Sequence, residues 1–226
     1  MIDDAHYARL VEAASAPYRA AGRFAWRFAR GKLRGDPVFR HLLQARPIAE
    51  NARLLDLGCG QGLLASLLGA AGAPRLAAYR GIELMASDVA RAHRALGRDC
   101  GVHQGDIRSA EFGVADAAVI LDVLHYMRPQ DQDEVLRRVR AALSPGGVLL
   151  LRVGDAAAGL PFRLSNWVDW TVALARGNGA TRFHCRSVAQ WRSALEALGF
   201  TVQAEPMSRG TPFANVLLCA RLPQRP

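Results

Sequence analysis

The residues that decide the fold run from Arg53 to Gly62 and read RLLDLGCGQG. The first half of this stretch is an apolar run with the length and composition of a buried β-strand. The second half repeats glycine as G-x-G-x-G, which is typical of a tight turn whose backbone amides can approach a ligand. The apolar residues that follow, LLASLL, predict a helix. A buried strand, a glycine turn and a helix in this order indicate an α/β fold with a parallel sheet.

The same alternation continues along the chain. Further strands are predicted to end near residue 84 and to cover residues 101–104, 115–121, 147–153, 200–203 and 213–220. Intervening helices predict parallel pairing with right-handed crossovers, and therefore a three-layer α/β sandwich. We expect residues 1–46 to form a helical cap on a core at 47–226, with an inserted helical lid at about 156–185. The pattern Ser187-x-x-Gln190 predicts a capping box before a last helix that stops at Gly199.

Acidic residues stand at the ends of the predicted strands. They are Asp56, Glu83, Asp106, Asp122 and Asp155. Ligands of parallel α/β sheets bind beyond the carboxyl ends of the strands, so these five residues are the first candidates for a binding site. Acidic residues are also common in loops, and that simpler explanation stays open.

The basic residues exclude two classes of enzyme. Of 29 lysines and arginines, only Lys32 is a lysine. A phosphate-binding loop of the G-x-x-x-x-G-K-[ST] type needs Ser or Thr after its lysine, and Leu33 stands there instead. A pyridoxal enzyme needs a lysine for its Schiff base, and Lys32 lies far from the glycine turn. We therefore expect neither P-loop nucleotide hydrolysis nor pyridoxal chemistry.

The positive charge is concentrated in one segment. Residues 17–46 hold eight basic residues and one acidic residue, whereas the rest of the chain holds 21 and 19. A basic groove across the whole protein is therefore not expected, and neither is a nucleic-acid partner. The four cysteines are scattered without a C-x-x-C pair, no apolar run approaches the length of a membrane span, and the acidic start MIDD is unlike a signal peptide. These features predict a cytoplasmic protein.

The glycine turn admits more than one ligand. A dinucleotide site prefers a small residue directly after the third glycine, and Leu63 stands there. Glu83 follows Gly62 by 21 residues and closes the next strand, where its carboxylate can accept both hydroxyls of a ribose. A purely structural turn is the alternative.

Together these residues resemble class I S-adenosylmethionine-dependent methyltransferases. The string from Asp56 to Gly62 is similar to the family's first motif, Gly105-Asp106-Ile107 to its adenine segment, and Ile120–Tyr126 to its fourth-strand motif. The turn Leu143-Ser144-Pro145-Gly146-Gly147 is similar to the one before the family's fifth strand. The chain also resembles stand-alone bacterial methyltransferases of fatty-acid- or polyketide-like pathways.

The resemblance implies S-adenosylmethionine as cofactor and methyl transfer to a small-molecule or carrier-bound acceptor. It implies a Rossmann-like, seven-stranded sheet with an antiparallel last strand. The cofactor-binding residues that it implies are Asp56, Gly58, Cys59 and Gly60 in the first motif, Glu83 at the ribose, Asp106 and Ile107 at the adenine, and Asp122 at the methionine end.

His125 is the candidate base for an acceptor hydroxyl, because it follows Asp122 and the ordinary pKa of histidine lies near neutral pH. A pocket wall is the alternative for His125 and the expected role of Tyr126. Relatives of the catechol type place Asp-Asn after the fifth strand to hold a metal. Here Ala156 follows Asp155, so no metal is expected.

Two other functions stay open. A nicotinamide-dependent reductase shares the fold and the Glu83 position, but Leu63 breaks its fingerprint, and Phe28 stands where the Tyr-x-x-x-Lys pair of the short-chain type would need a tyrosine before Lys32. A protein that binds the cofactor without catalysis, as a sensor or an assembly partner, is the second alternative.

The N-terminal arginines form a stripe in sequence. At about 100° per residue, Arg19, Arg23, Arg27, Arg30 and Arg34 fall within an arc of about 80°, with Tyr18, Ala25, Trp26, Ala29 and Leu33 on another side. We expect this helix to end near Gly31, because glycine weakens helices. The stripe is either a solvated face or a surface that docks an acidic partner or an anionic membrane.

Overall fold

The computed structural model describes residues 2–155, 184–208 and 214–224, and a seven-stranded sheet lies at their centre. Its strands are β1 (Ala52–Leu57), β2 (Leu76–Glu83), β3 (Val102–Gln104), β4 (Ala115–Leu121), β5 (Leu143–Gly154), β6 (Thr201–Pro206) and β7 (Asn215–Arg221). Their order is β3-β2-β1-β4-β5-β7-β6, and β7 runs antiparallel to both of its neighbours. The other pairs are parallel. The predicted mostly parallel sheet with an antiparallel last strand is confirmed.

Helices cover both faces of this sheet. They are α1 (Asp4–Ser15), α2 (Arg23–Gly35), α3 (Pro37–Ala45), α4 (Leu63–Ala71), α5 (Ala86–Leu96), α6 (Pro129–Ala142) and α7 (Val188–Ala197), with 3₁₀ turns at Ala16–Ala21 and Leu124–Tyr126. Side chains alternate between the faces of a strand, so Leu54 and Leu55 belong to different cores. Leu54 packs with α1 to α4, and Leu55 packs with α6 and α7. These are the three predicted layers.

The start of α7 has the predicted capping box. The Ser187 hydroxyl accepts the Gln190 N–H, and the Gln190 side chain accepts the Ser187 N–H. The predicted lid at 156–185, with its helix at 164–175, lies almost entirely outside the described residues, as does the first residue of the strand predicted at 213–220. No helix among the described residues has the length and apolar character that a membrane crossing requires.

The N-terminal helices differ from the prediction in two ways. Gly22 has a φ of 104° and separates the 3₁₀ turn from α2, so Arg19 does not share a continuous helix with the other arginines. The expected end near Gly31 is wrong, because α2 continues to Gly35. It stops there because Asp36 precedes Pro37, and a residue before proline avoids the helical conformation. Asp36 then caps α3 by accepting the Val38 N–H at 3.1 Å.

Candidate active site

The site lies where the strand order reverses. From β1 the chain moves outward to β2 and β3, and then returns to place β4 on the other side of β1. The loops after β1 and β4 lead to helices on opposite faces of the sheet, and the carboxyl edge between them, which we call the crevice, is the usual ligand position in this architecture. The turn from Gly58 to Gly62 and the turn after Leu121 line this crevice.

The glycine turn packs directly against the turn after β4. Gly58 has a φ of 72°, and a Cβ atom added to it would lie 2.3 Å from a methyl carbon of Val123. Gly60 also has a positive φ, but an added Cβ would meet no atom within 4 Å. Gly58 is thus required by close packing inside the protein, whereas Gly60 faces open space in which a ligand can lie.

Glu83 holds this turn from the end of β2. Its carboxylate accepts the Gly60 N–H at 2.9 Å on one oxygen and the Met85 N–H at 2.8 Å on the other. Each carboxylate oxygen has a further lone pair, so two more donors can be accommodated. The amides of Gly58 and Gly62 also bond within the protein, to the carbonyls of Ile82 and Cys59. This differs from the expectation of open amides, because the loop commits them to its own shape.

Asp56 lies beneath the turn rather than on its surface. Its side chain is buried and accepts the Tyr79 hydroxyl proton at 2.9 Å. Burial, with a smaller contribution from the charge of Glu83, raises the pKa of Asp56 to about 7. A Cβ atom added to Gly81 would lie 2.7 Å from the Cys59 sulfur and 2.8 Å from the Tyr79 hydroxyl oxygen, so glycine in β2 makes room for this cluster.

The segment after β3 carries the predicted adenine residues. Asp106 is partly exposed and forms a two-point ion pair with Arg108, at 2.9 Å and 3.0 Å from Nε. These hydrogen bonds lower the pKa of Asp106. The Ile107 side chain is buried in the second core cluster, and its carbonyl accepts Arg138 Nη1 at 2.8 Å. Arg108 and Arg138 were not identified from the sequence, because an arginine gives no sign of its partner there.

The turn after β4 carries the candidate base. Asp122 has a φ of 58°, in the left-handed region, and its carboxylate contacts the guanidinium of Arg152 on β5. His125 and Tyr126 follow on the 3₁₀ turn, with ring centroids 4.2 Å apart. Burial lowers the pKa of His125, and Asp122 opposes that shift only in part. The imidazole is therefore neutral at pH 7, which is the form that accepts a proton.

The N-terminal helices reach the glycine turn. Tyr18 is fully buried and donates its hydroxyl proton to the Gln61 carbonyl at 2.7 Å, and Ser66 of α4 donates to the Ala14 carbonyl at 2.7 Å. The sequence placed Tyr18 on an apolar face but did not identify this partner. Asp155 accepts the Val188 N–H at 3.3 Å, at the start of α7. Within residues 2–155, 184–208 and 214–224, no group of three or more metal-ligating side chains comes together.

A family model described as a methyltransferase domain matches residues 25–205. The chain belongs to the S-adenosylmethionine-dependent methyltransferases. The architecture alone would also suit a nicotinamide-dependent reductase, and membership of this family decides between the two. S-adenosylmethionine is accordingly the cofactor of the family to which this chain belongs.

Two relatives show how widely this family varies in chemistry. Carboxy-S-adenosyl-L-methionine synthase of Chromohalobacter salexigens is 35% identical over 164 residues, which cover 69% of this chain and 58% of that protein. Ribosomal RNA small subunit methyltransferase C of the same organism is 35% identical over 152 residues, which cover 63% and 42%. The chain thus spans about half the length of these relatives.

The fold has a neighbour among solved structures. A chain from a complex that contains the Haloferax volcanii Trm112 methyltransferase activator has a TM-score of 0.66 and is 17% identical. The similarity covers 95% of this chain and 98% of that one. At this identity the likeness shows a shared fold.

Proposed function

We propose that the protein transfers a methyl group from S-adenosylmethionine to a small-molecule or carrier-bound acceptor and releases S-adenosylhomocysteine. The observation that carries the proposal is the carboxylate of Glu83, held at the end of β2 by the Gly60 amide of a glycine turn at the reversal of strand order. A carboxylate beside the open space at Gly60 supports our assignment of Glu83 to the ribose hydroxyls.

The residues of the crevice fit this cofactor. S-adenosylmethionine carries a ribose, an adenine and a positively charged sulfur, and it has no phosphate to neutralise. Carboxylates rather than lysines suit such a ligand, and Glu83, Asp106 and Asp122 supply them at the ends of β2, β3 and β4. We assign Glu83 to the ribose, Asp106 and Ile107 to the adenine, Asp122 to the methionine end, and the turn at Gly58, Cys59 and Gly60, with Asp56 beneath it, to the shape of the cradle.

Bound S-adenosylmethionine supplies a methyl group whose bond to sulfur breaks as the acceptor atom attacks. The protein must therefore hold the acceptor in line, exclude water and, for a hydroxyl acceptor, remove a proton. We assign removal of this proton to His125, because its imidazole is neutral and it follows the turn that contacts Gly58. Tyr126, 39% exposed, forms part of the pocket wall.

A small or carried acceptor is favoured over RNA by the distribution of charge. Outside residues 17–46 the chain is nearly neutral, whereas a protein that grips RNA needs basic residues along its contact surface. All four cysteines lie in the described residues and form no disulfide, which supports a cytoplasmic location. The names of the two relatives keep synthesis of carboxy-S-adenosyl-L-methionine and methylation of ribosomal RNA among the outcomes of a screen.

We propose that the exposed face of α2 docks an acidic protein, such as a carrier that delivers the acceptor. Arg23, Arg27 and Arg34 are exposed on this face beside Phe24, which is 64% exposed. Arg19 and Arg30 contribute less, because Arg19 lies over the Trp26 ring and Arg30 pairs with Glu12. Guanidinium groups bind carboxylates at two points, and one exposed phenylalanine offers little area for insertion into lipid.

The experiment that tests the proposed function is a screen of metabolites and carrier-bound acyl groups with an isotope-labelled methyl donor. We expect one acceptor class to gain the label while S-adenosylhomocysteine forms in equal amount. Label that stays in a product with the mass of carboxy-S-adenosyl-L-methionine, with a carboxyl donor among the metabolites and no labelled acceptor, would instead favour the reaction named for the first relative. Binding of S-adenosylmethionine with no label transfer to any acceptor, ribosomal RNA included, would instead favour the non-catalytic sensor or assembly protein.

A further inference from the structure

A buried arginine stands at the carboxyl end of β5. Arg152 is 1% exposed and is the basic residue among the fully buried side chains of the described part of the chain. In the sheet Arg152 pairs with Leu121. Leu121 directly precedes the turn that carries the candidate base. Burying a guanidinium costs desolvation free energy unless the group is paired and hydrogen-bonded, so Arg152 needs partners inside the protein.

Two carboxylates from distant parts of the chain hold it. Asp122 accepts Arg152 Nε at 2.9 Å on one oxygen and contacts Nη2 with the other. Asp36, at the junction of α2 and α3, accepts Nη2 at 2.8 Å and contacts Nη1 with its second oxygen. Lys32 Nζ lies 2.8 Å from Asp36 Oδ2, so the cluster contains two cations and two anions. The pairing holds the pKa of Asp36 well below its usual range although burial acts in the opposite direction.

Arg152 controls the backbone of Asp122 as well as its side chain. The Arg152 carbonyl accepts the Asp122 N–H at 3.3 Å, and Asp122 has the left-handed φ that non-glycine residues rarely adopt. Val123, the next residue, fills the space beside Gly58. The Arg152 carbonyl and guanidinium thus both hold Asp122, whose turn packs on the glycine loop through Val123 and leads to His125.

We propose that Arg152 is a positioning residue of the methyltransferase site. It orients the Asp122 carboxylate and the turn to His125, and its second pair with Asp36 ties the N-terminal helices to that turn. The side chain of Asp122 remains 28% exposed although Arg152 contacts both of its carboxylate oxygens. The inference rests on the proposed function for the identity of the ligand, but the geometry that it assigns to the turn does not.

The test compares Arg152→Met and Arg152→Lys with the control Asp36→Asn. Methionine removes the charge and keeps the bulk, and lysine keeps the charge without the planar fork. The control weakens the pairs of Asp36 with Arg152 and Lys32, while asparagine can still accept the Val38 N–H. Calorimetry measures S-adenosylmethionine and S-adenosylhomocysteine binding to the folded variants. We expect Arg152→Met to weaken both about 10- to 100-fold, Arg152→Lys to weaken them less, and Asp36→Asn to change them by less than about threefold.

A second readout needs no ligand. The His125 imidazole, assigned in NMR spectra by loss of its signals in His125→Ala, reports the charge of Asp122. Arg152→Met should raise the His125 pKa by about half a unit or more, because it uncovers the Asp122 carboxylate. Asp36→Asn should leave that pKa unchanged or lower it, because Arg152 keeps its full charge beside Asp122.

Wild-type affinity and an unchanged His125 pKa in both Arg152 variants would overturn the inference and make the arginine a structural staple only. Equal loss of affinity in Asp36→Asn would also overturn it, because the effect would then belong to the N-terminal helices. If Arg152→Met does not fold, Arg152→Lys decides by the same two readouts. Failure of the folded wild type to bind either ligand would overturn the proposed function, while the titration of His125 would still test the position of Asp122.

Discussion

The two sides of the crevice are held in different ways. On the β1–β2 side, main-chain amides hold the carboxylate, since Gly60 and Met85 both donate to Glu83. On the β4–β5 side, the turn is held by a guanidinium that joins carboxylates 30 and 116 residues away along the chain. The first arrangement is local and uncharged except for Glu83, and the second is long-range and ionic.

This difference suggests a division of tasks. A cradle of backbone hydrogen bonds suits a ligand that is the same throughout a family, because it does not depend on distant side chains. The ionic side carries His125, and in the proposed function it borders the acceptor. Perturbing the β1–β2 side should therefore change mainly cofactor affinity, whereas perturbing the β4–β5 side should change turnover through His125 and cofactor affinity through Asp122.

The largest effect is expected from His125→Ala. With a hydroxyl acceptor, loss of the base should lower kcat about 10²- to 10⁴-fold and leave cofactor affinity nearly unchanged. In the wild type, kcat should fall as the pH drops through the lowered pKa of His125, because the protonated imidazole cannot accept a proton. Steady-state kinetics over a pH series would check both, with Tyr126→Phe as the matched control. A variant that keeps most of its turnover would reduce His125 to a pocket wall.

Asp56 should make stability depend on pH. Its carboxyl is held more readily as the neutral acid in the folded protein, so its contribution to stability is present at low pH and is lost as the pH rises toward about 7. Asp56→Asn removes this dependence. Between pH 5 and pH 8, the free energy of unfolding of the wild type should fall by about 2–3 kcal/mol relative to that of the variant.

Urea denaturation of both proteins at the two pH values measures this difference, in which the other titrating groups cancel. Asp116→Asn is a useful control, because Arg53 holds the pKa of that carboxyl low. Asp116 is therefore ionised in the folded and the unfolded protein at both pH values, and its substitution should change stability equally at the two. A difference between Asp56→Asn and the wild type that does not change with pH would show that Asp56 titrates normally.

Glu83→Ala tests the backbone-held side. Losing an acceptor for ribose hydroxyls should cost about 1–3 kcal/mol, which is roughly 5- to 150-fold in affinity for S-adenosylmethionine and S-adenosylhomocysteine. Turnover at saturating cofactor should change less than affinity. Isothermal calorimetry measures the effect, and Glu111→Ala removes an exposed carboxylate as a control. Unchanged affinity would exclude Glu83 from the ribose site.

The smallest effect on the isolated protein should come from the α2 face. Reversing Arg23 and Arg27 to glutamate should leave folding and cofactor affinity intact. With a carrier-bound acceptor it should raise KM several-fold and remove the salt dependence, whereas the same reversal at exposed Arg75 and Arg80 should not. If the double variant keeps the wild-type KM for the carrier-bound acceptor, the α2 face is only a solvated surface. If the double variant instead loses binding to anionic vesicles, the face is a membrane-binding surface.

The sequence predicts the local side of the crevice better than the ionic side. The strand before Gly58, the glycine turn and Glu83 follow one another within a short stretch, and their pattern carries the geometry. The pairing of Arg152 with Asp36 has no such pattern, because it depends on how α3 packs against a strand far along the chain. The break at Gly22 was missed for a related reason, since a helical wheel assumes a continuous helix.

We propose that the crevice binds S-adenosylmethionine through the chain's own residues. Calorimetric titration of the folded wild type with S-adenosylmethionine and S-adenosylhomocysteine, without added metal, tests it most directly. We expect one binding site for each ligand. A folded sample that binds neither ligand, by heat or by a shift in thermal unfolding, would contradict it.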